Sequence, residues 1–104
     1  YAVGEIVLKP WHMNILGIVH GGVLYSLADT VGGTAAMTGR DYAVPTVDGT
    51  IHYLKAGKNT SKIIARAQEI QNGYAFSVCE CKIYDDKETL LASATMTYYH
   101  LRRR

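Results

Sequence analysis

The hydrophobic and polar positions divide the chain into one long apolar segment and five shorter segments that resemble strands. Alternation with a period of two is typical of strands with one buried face. It is clearest in residues 90–99, where one side carries Leu90, Ala92, Ala94, Met96 and Tyr98. The predicted strands are residues 2–9, 44–54, 62–71, 74–84 and 90–99. Short turns separate the last four, so we expect these strands to pair in antiparallel order.

The apolar segment, residues 22–37, predicts a helix that ends at Gly39. Its apolar positions surround nearly the whole helix, and such a helix must be buried. One five-stranded sheet would cover only one side of it. A second copy of the chain would cover the other side, so we expect a homodimer. The order of strand, helix and four strands predicts an α+β fold.

Length and composition fit one globular domain spanning residues 1–104. Hydrophobic residues make up 48% of the chain and charged residues 19%, which is not the composition of a disordered protein. The formal net charge of +2 gives no reason to expect nucleic acid as a partner. No charge-free apolar run reaches the ~18 residues of a membrane span. No signal-peptide pattern is visible, and we expect the three arginines at 102–104 to be a solvated tail.

The cysteines and histidines predict neither a disulfide nor a metal site. Cys79 and Cys81 lie two positions apart on one predicted strand, which is poor spacing for a disulfide. We therefore expect buried, reduced thiols in a cytoplasmic protein. The four histidines are not spaced as zinc ligands.

One stripe of the predicted helix differs from the rest because it carries small or polar residues: Gly22, Ser26, Asp29 and Gly33. The stripe leaves room beside the carboxylate for another molecule to approach. At the start of the helix, Gly21 and Gly22 place no side chains around the free backbone amides, which can hold a developing oxyanion. Asn14 and His20 flank this helix start and can donate or accept hydrogen bonds.

Asp29 and Gly22 cannot act on one carbonyl from the same helix. Seven residues at 1.5 Å each separate them by roughly 10 Å, and a carboxylate side chain reaches only a few ångströms. If the two groups share a substrate, the acid must come from another subunit. A two-fold axis that sets two such helices antiparallel would produce two equivalent sites.

These residues resemble a known family, the PaaI-like branch of the hotdog-fold acyl-CoA thioesterases. The motif is an Asn, a Gly and a His-Gly-Gly at fixed spacing, followed by Leu-Ala-Asp, here Asn14, Gly17, His20, Gly21, Gly22, Leu27, Ala28 and Asp29. The resemblance covers essentially the whole chain. It implies a five-stranded antiparallel sheet wrapped around one long central helix, homodimers that often form homotetramers, and an acyl-CoA substrate without any cofactor.

The same resemblance implies roles for individual residues. The Gly22 amide would polarise the thioester carbonyl, and Asp29 of the facing subunit would be general base or nucleophile. Asn14 and His20 would orient the carbonyl or water, and Thr46 would hold the attacking water. Gly21 and the basic Lys55 and Lys58 would contact the substrate, with the lysines near the CoA phosphates.

Each assignment has an alternative. Asp29 could be a buried acid satisfied by the hydroxyls of Ser26 or Thr30, Asn14 an ordinary turn residue, and each lysine solvated surface. The chain could also be a non-catalytic module that binds acyl-CoA, or a hotdog hydratase or dehydratase. The sequence does not choose between aromatic acyl groups, such as phenylacetyl, and medium or long fatty chains.

Overall fold

The computed structural model describes residues 1–102 and contains the predicted elements in the predicted order. Strand β1 is Ala2–Val7, helix α1 is Gly21–Met37, and the remaining strands are β2 Thr46–Tyr53, β3 Lys62–Asn72, β4 Phe76–Asp85 and β5 Leu90–Tyr99. The predicted ends are wrong by at most two residues. A single 3-10 turn at Pro10–His12 was not predicted.

All five strands form one antiparallel sheet in the order β1-β3-β4-β5-β2. The strands β3, β4 and β5 pair with their neighbours along the chain as expected, but β2 pairs with β5 and not with β3. Helix α1 packs on one face of it and contacts every strand. The fold is therefore α+β. Its five-stranded sheet and its α-helix agree with the prediction. Within residues 1–102, no helix combines the length and hydropathy needed to cross a membrane.

The helix approaches the sheet closely because small side chains line both surfaces. Ala28, Ala35 and Ala36 of α1 are fully or almost fully buried. Alanines at equivalent depth on the sheet face them, namely Ala65, Ala67, Ala92 and Ala94. The opposite face of α1 remains exposed at Gly22, Ser26, Thr30, Thr34 and Met37.

The tightest approach joins Gly32 of α1 to Tyr98 of β5. A Cβ at Gly32 would clash with the Tyr98 hydroxyl oxygen. Tyr98 is fully buried, and its hydroxyl donates a hydrogen bond of 2.8 Å to the backbone carbonyl of Asp29. The missing side chain at Gly32 thus makes space for one of the hydrogen bonds that join the helix to the sheet.

The arginine tail differs from the expectation at Arg102. Its guanidinium lies 4.1 Å from the ring centroid of Tyr74 and donates to the Tyr74 carbonyl. The side chain is exposed, yet it packs on the turn between β3 and β4. Residues 103 and 104 lie outside the described residues.

We expect Gly32→Ala to destabilise the protein by about 1–3 kcal/mol, because the new methyl group must displace a buried tyrosine. In a Tyr98→Phe background the same substitution should cost less than about 1 kcal/mol, since the clashing hydroxyl is gone and Ala favours the helix. Denaturant unfolding of the four proteins at one fixed concentration measures this coupling. If Gly32→Ala lowers the free energy of unfolding equally in both backgrounds, Tyr98 does not cause the destabilisation.

Candidate active site

Asp29 is held by a side chain of the sheet. The Thr46 hydroxyl donates a hydrogen bond of 2.6 Å to Oδ1 of Asp29. Asp29 is half-buried, at the boundary between the packed and the exposed faces of α1. Its partner is thus Thr46, and neither Ser26 nor Thr30 bonds to the carboxylate. The second carboxylate oxygen has no protein donor among the described residues.

A β-bulge at Val47 creates this contact. Thr46 pairs with Tyr98, whereas Asp48 pairs with the adjacent Thr97, so one extra residue is inserted between them. Simple alternation predicts Thr46 on the same side as Asp48, Thr50 and His52, and that prediction is wrong. An inserted residue reverses the alternation that follows it. Thr46 therefore shares the helix-facing side of the sheet with Tyr98.

Tyr98 fixes the backbone that carries the carboxylate. Its hydroxyl bonds to the carbonyl of Asp29 itself, one strand away from the position of Thr46. Burial, and then the charge of Asp29, raise the pKa of Tyr98 well above its usual range. The hydroxyl stays protonated and remains a donor at every physiological pH. Tyr98 and Thr46 thus hold Asp29 through its backbone and its side chain.

The start of α1 presents unpaired amides. The first amide of the helix to find an acceptor is that of Val23, which bonds to the His20 carbonyl at 3.0 Å. The His20 side chain caps no amide. Within residues 1–102, the Gly21 and Gly22 amides have no acceptor, and a Cβ at Gly22 would meet nothing within 4 Å. This helix start can receive an oxyanion.

Asn14 has a structural role in the loop before α1. Its Oδ1 accepts hydrogen bonds from the amides of Leu16 and Ile18, at 2.9 and 3.1 Å, and so shapes the loop before α1. The side-chain NH₂ remains free to donate to a ligand. Asn14, Gly21 and Lys55 line one hollow of about 360 Å³ between the helix start and the end of β2.

The other predicted residues are less closely grouped. His20 and Gly22 line a wider, open groove together with His12 and Ser26. Lys58 is exposed and lines neither the hollow nor the groove. Asp29 and Thr46 also lie apart from both, so one chain carries the carboxylate and the free amides as two separate groups.

Two tyrosines that sequence reasoning did not select belong to this region. The alternation of residues 90–99 assigns Tyr98 only to one side of its strand, and Tyr53 is only one residue of the predicted strand 44–54. Tyr53 donates a hydrogen bond of 2.9 Å to the carbonyl of Gly21. The only signals in the sequence were that each tyrosine belongs to a predicted strand and that the predicted helix contains glycines.

Other reactive groups are sealed in the core. Ser77 and His100 form a hydrogen bond of 2.6 Å, but both side chains are buried. The second nitrogen of His100 bonds to the Tyr74 carbonyl at 2.9 Å, so the pair ties the end of β5 to the turn before β4. Within residues 1–102, no three His, Cys, Asp or Glu side chains are placed to hold a metal ion.

The architecture is the hotdog fold, and solved structures of similar proteins share it. A Bacillus halodurans protein, crystallised with CoA, is 29% identical with a TM-score of 0.91, over 98% of this chain and 68% of its own. The PaaI protein of Escherichia coli matches with a TM-score of 0.89 at 24% identity, over 96% of this chain and 72% of its own.

The sequence itself places the chain in a family. The model of the thioesterase superfamily matches residues 16–92, and the chain belongs to that superfamily. An Archaeoglobus fulgidus protein named "Putative esterase" is 30% identical over 101 residues, which are 97% of this chain. The chain spans 65% of the length of that relative.

Both cysteines should be unreactive in the folded protein. Burial raises the pKa of Cys79 to about 11 and that of Cys81 to about 12. Because only the thiolate reacts and it forms above the pKa, few thiolates exist at pH 8. We expect a chromogenic disulfide reagent to label neither thiol in the native protein and both in guanidinium. Rapid labelling of the native protein at pH 8 would contradict this.

Proposed function

We propose that this protein is an acyl-CoA thioesterase that hydrolyses its substrate to a free acid and CoA. The observation that carries the proposal is the Asp29 carboxylate, held by Thr46 at the edge of the exposed helix face. The CoA found in the Bacillus halodurans structure supports CoA as the carrier.

In this mechanism Asp29 is the general base. The Thr46 hydroxyl donates its hydrogen bond to Oδ1 of Asp29. The Thr46 oxygen can therefore accept a hydrogen bond from a water molecule. The carboxylate removes a proton as that water attacks the thioester carbon. A carboxylate held by one donor keeps a second oxygen for this transfer.

The Gly22 amide stabilises the oxyanion that forms on the carbonyl. Donors placed where negative charge develops are worth about 2.7–4 kcal/mol each. The carbon–sulfur bond then breaks and CoA leaves as a thiolate, which takes up the proton. Asn14, in the hollow lined by Gly21, and His20, in the groove lined by Gly22, orient the carbonyl or the water.

Each site combines two subunits of a homodimer. The roughly 10 Å between Gly22 and Asp29 along one helix prevents both from reaching one carbonyl. The exposed face of α1 carries small side chains, so a second helix can approach it closely. An antiparallel pair of helices places Asp29 of each subunit near Gly22 of the other, and two such dimers form the homotetramer.

The CoA portion extends over the helix start. Gly21 and Lys55 share the hollow beside Asn14, and Lys58 follows on the exposed loop. Both ammonium groups suit the CoA phosphates. The acyl group, aromatic or straight-chain, is what the following assay identifies.

We expect Asp29→Asn to reduce thiol release from acyl-CoA at least about 100-fold, since a general base contributes 10²- to 10⁴-fold. The amide oxygen of Asn still accepts the Thr46 bond, but the side chain takes up no proton. Release is measured on a panel of aromatic and straight-chain acyl-CoAs.

Asp48→Asn is the matched control, because Asp48 is an exposed acid of the same strand as Thr46. It should retain wild-type turnover. Full activity of Asp29→Asn would refute the assigned base. Tight binding of acyl-CoA by the wild-type protein without thiol release would instead indicate a binding module.

A further inference from the structure

We infer that Tyr53 is a positioning residue that strengthens the oxyanion donor, an inference that rests on the proposed function. Its hydroxyl donates to the Gly21 carbonyl at 2.9 Å. That carbonyl and the Gly22 amide belong to one peptide group. The tyrosine therefore acts on the far end of the same peptide whose N–H receives the oxyanion.

The chemical effect follows from amide resonance. A hydrogen bond to a carbonyl oxygen draws electron density away from the amide nitrogen and makes its N–H a stronger donor. In chains of hydrogen bonds each bond strengthens the next by about 10–30%. Here the chain runs from the Tyr53 hydroxyl through the Gly21–Gly22 peptide to the carbonyl oxygen of the substrate.

The local structure is shaped for this bond. Tyr53 is the last residue of β2, and its ring lies against Gly21. A Cβ at Gly21 would come within 3.1 Å of Cζ of Tyr53, tighter than ordinary contact. The absence of a side chain at Gly21 thus lets the hydroxyl reach the carbonyl.

Burial does not account for the bond. Tyr53 is 53% exposed, so its hydroxyl would find water if it turned away from the helix. Tyr98 is different, because its hydroxyl is buried and needs a partner. A solvent-accessible hydroxyl that nevertheless bonds to this carbonyl, beside the hollow lined by Asn14 and Gly21, fits a role in the site.

Tyr53→Phe tests the inference because it removes only the hydroxyl. With the preferred acyl-CoA, we expect kcat to fall about two- to eightfold with KM unchanged. A fall of this size corresponds to a loss of about 10–30% of the transition-state stabilisation that one oxyanion donor provides. In NMR spectra of the free protein, the carbonyl carbon of Gly21 and the amide nitrogen of Gly22 should both move upfield. Tyr99→Phe, which alters an exposed tyrosine of β5, should change none of these.

A second variant, Gly21→Ala, keeps the hydroxyl but pushes the ring away. It should shift the Gly22 nitrogen in the same direction as Tyr53→Phe and lower kcat similarly. Unmoved Gly22 signals in Tyr53→Phe would overturn the inference whatever the activity. Moved signals with an unchanged kcat would overturn the catalytic part. Absence of turnover in the wild-type protein would instead refute the proposed function, and the catalytic role of Tyr53 with it.

Discussion

The contact between Tyr98 and Gly32 is the constraint on which the other features of this fold depend. A tyrosine of β5 reaches α1 only because Gly32 has no side chain, and its hydroxyl then bonds to the carbonyl of Asp29. This bond fixes how far along the sheet the helix lies. The same register sets the distance between the carboxylate and Thr46, and it also places the start of α1 beside the end of β2, where Tyr53 reaches Gly21.

The helix carries two chemically opposite groups at a fixed separation. Its first amides are unpaired donors with partial positive charge, and Asp29 lies two turns further along. A rigid helix keeps these groups roughly 10 Å apart, so no side-chain motion unites them within one chain. This geometry supports the proposal that two chains build each site. It also explains why the exposed stripe of the helix carries small residues, because bulky side chains there would prevent a second helix from approaching.

Much of the fold follows from the sequence because period-two alternation and short turns specify strands directly. The helix limits, the antiparallel pairing of β3, β4 and β5 and the buried side of β5 were predictable in this way, but the pairing of β2 with β5 was not. The side of the sheet on which Thr46 lies was not, because the bulge at Val47 reverses the alternation by one inserted residue. Local pattern contains no signal for a bulge on an edge strand that lacks an obvious glycine or proline at that position.

The residues of the candidate site likewise include some that the sequence pattern reveals and some that it does not. Asp29 and the glycines at the helix start stood out because their residue types contrast with an apolar surrounding. The tyrosine hydroxyls did not, since a tyrosine that packs in a core and one that bonds to a particular carbonyl have the same pattern. The role of the Asn14 carbonyl oxygen in its own loop was likewise visible only in three dimensions.

Subunit complementation tests the two-chain site most directly. Asp29→Asn and Gly22→Pro proteins, each inactive alone, are unfolded, mixed in equal amounts and refolded together. Proline lacks the amide proton and is tolerated in a first helical turn. If each site takes Asp29 from one chain and Gly22 from another, about one quarter of the sites in random assemblies are intact, and the mixture recovers about that share of refolded wild-type activity. If the mixture stays as inactive as its components, the two groups do not come from different chains.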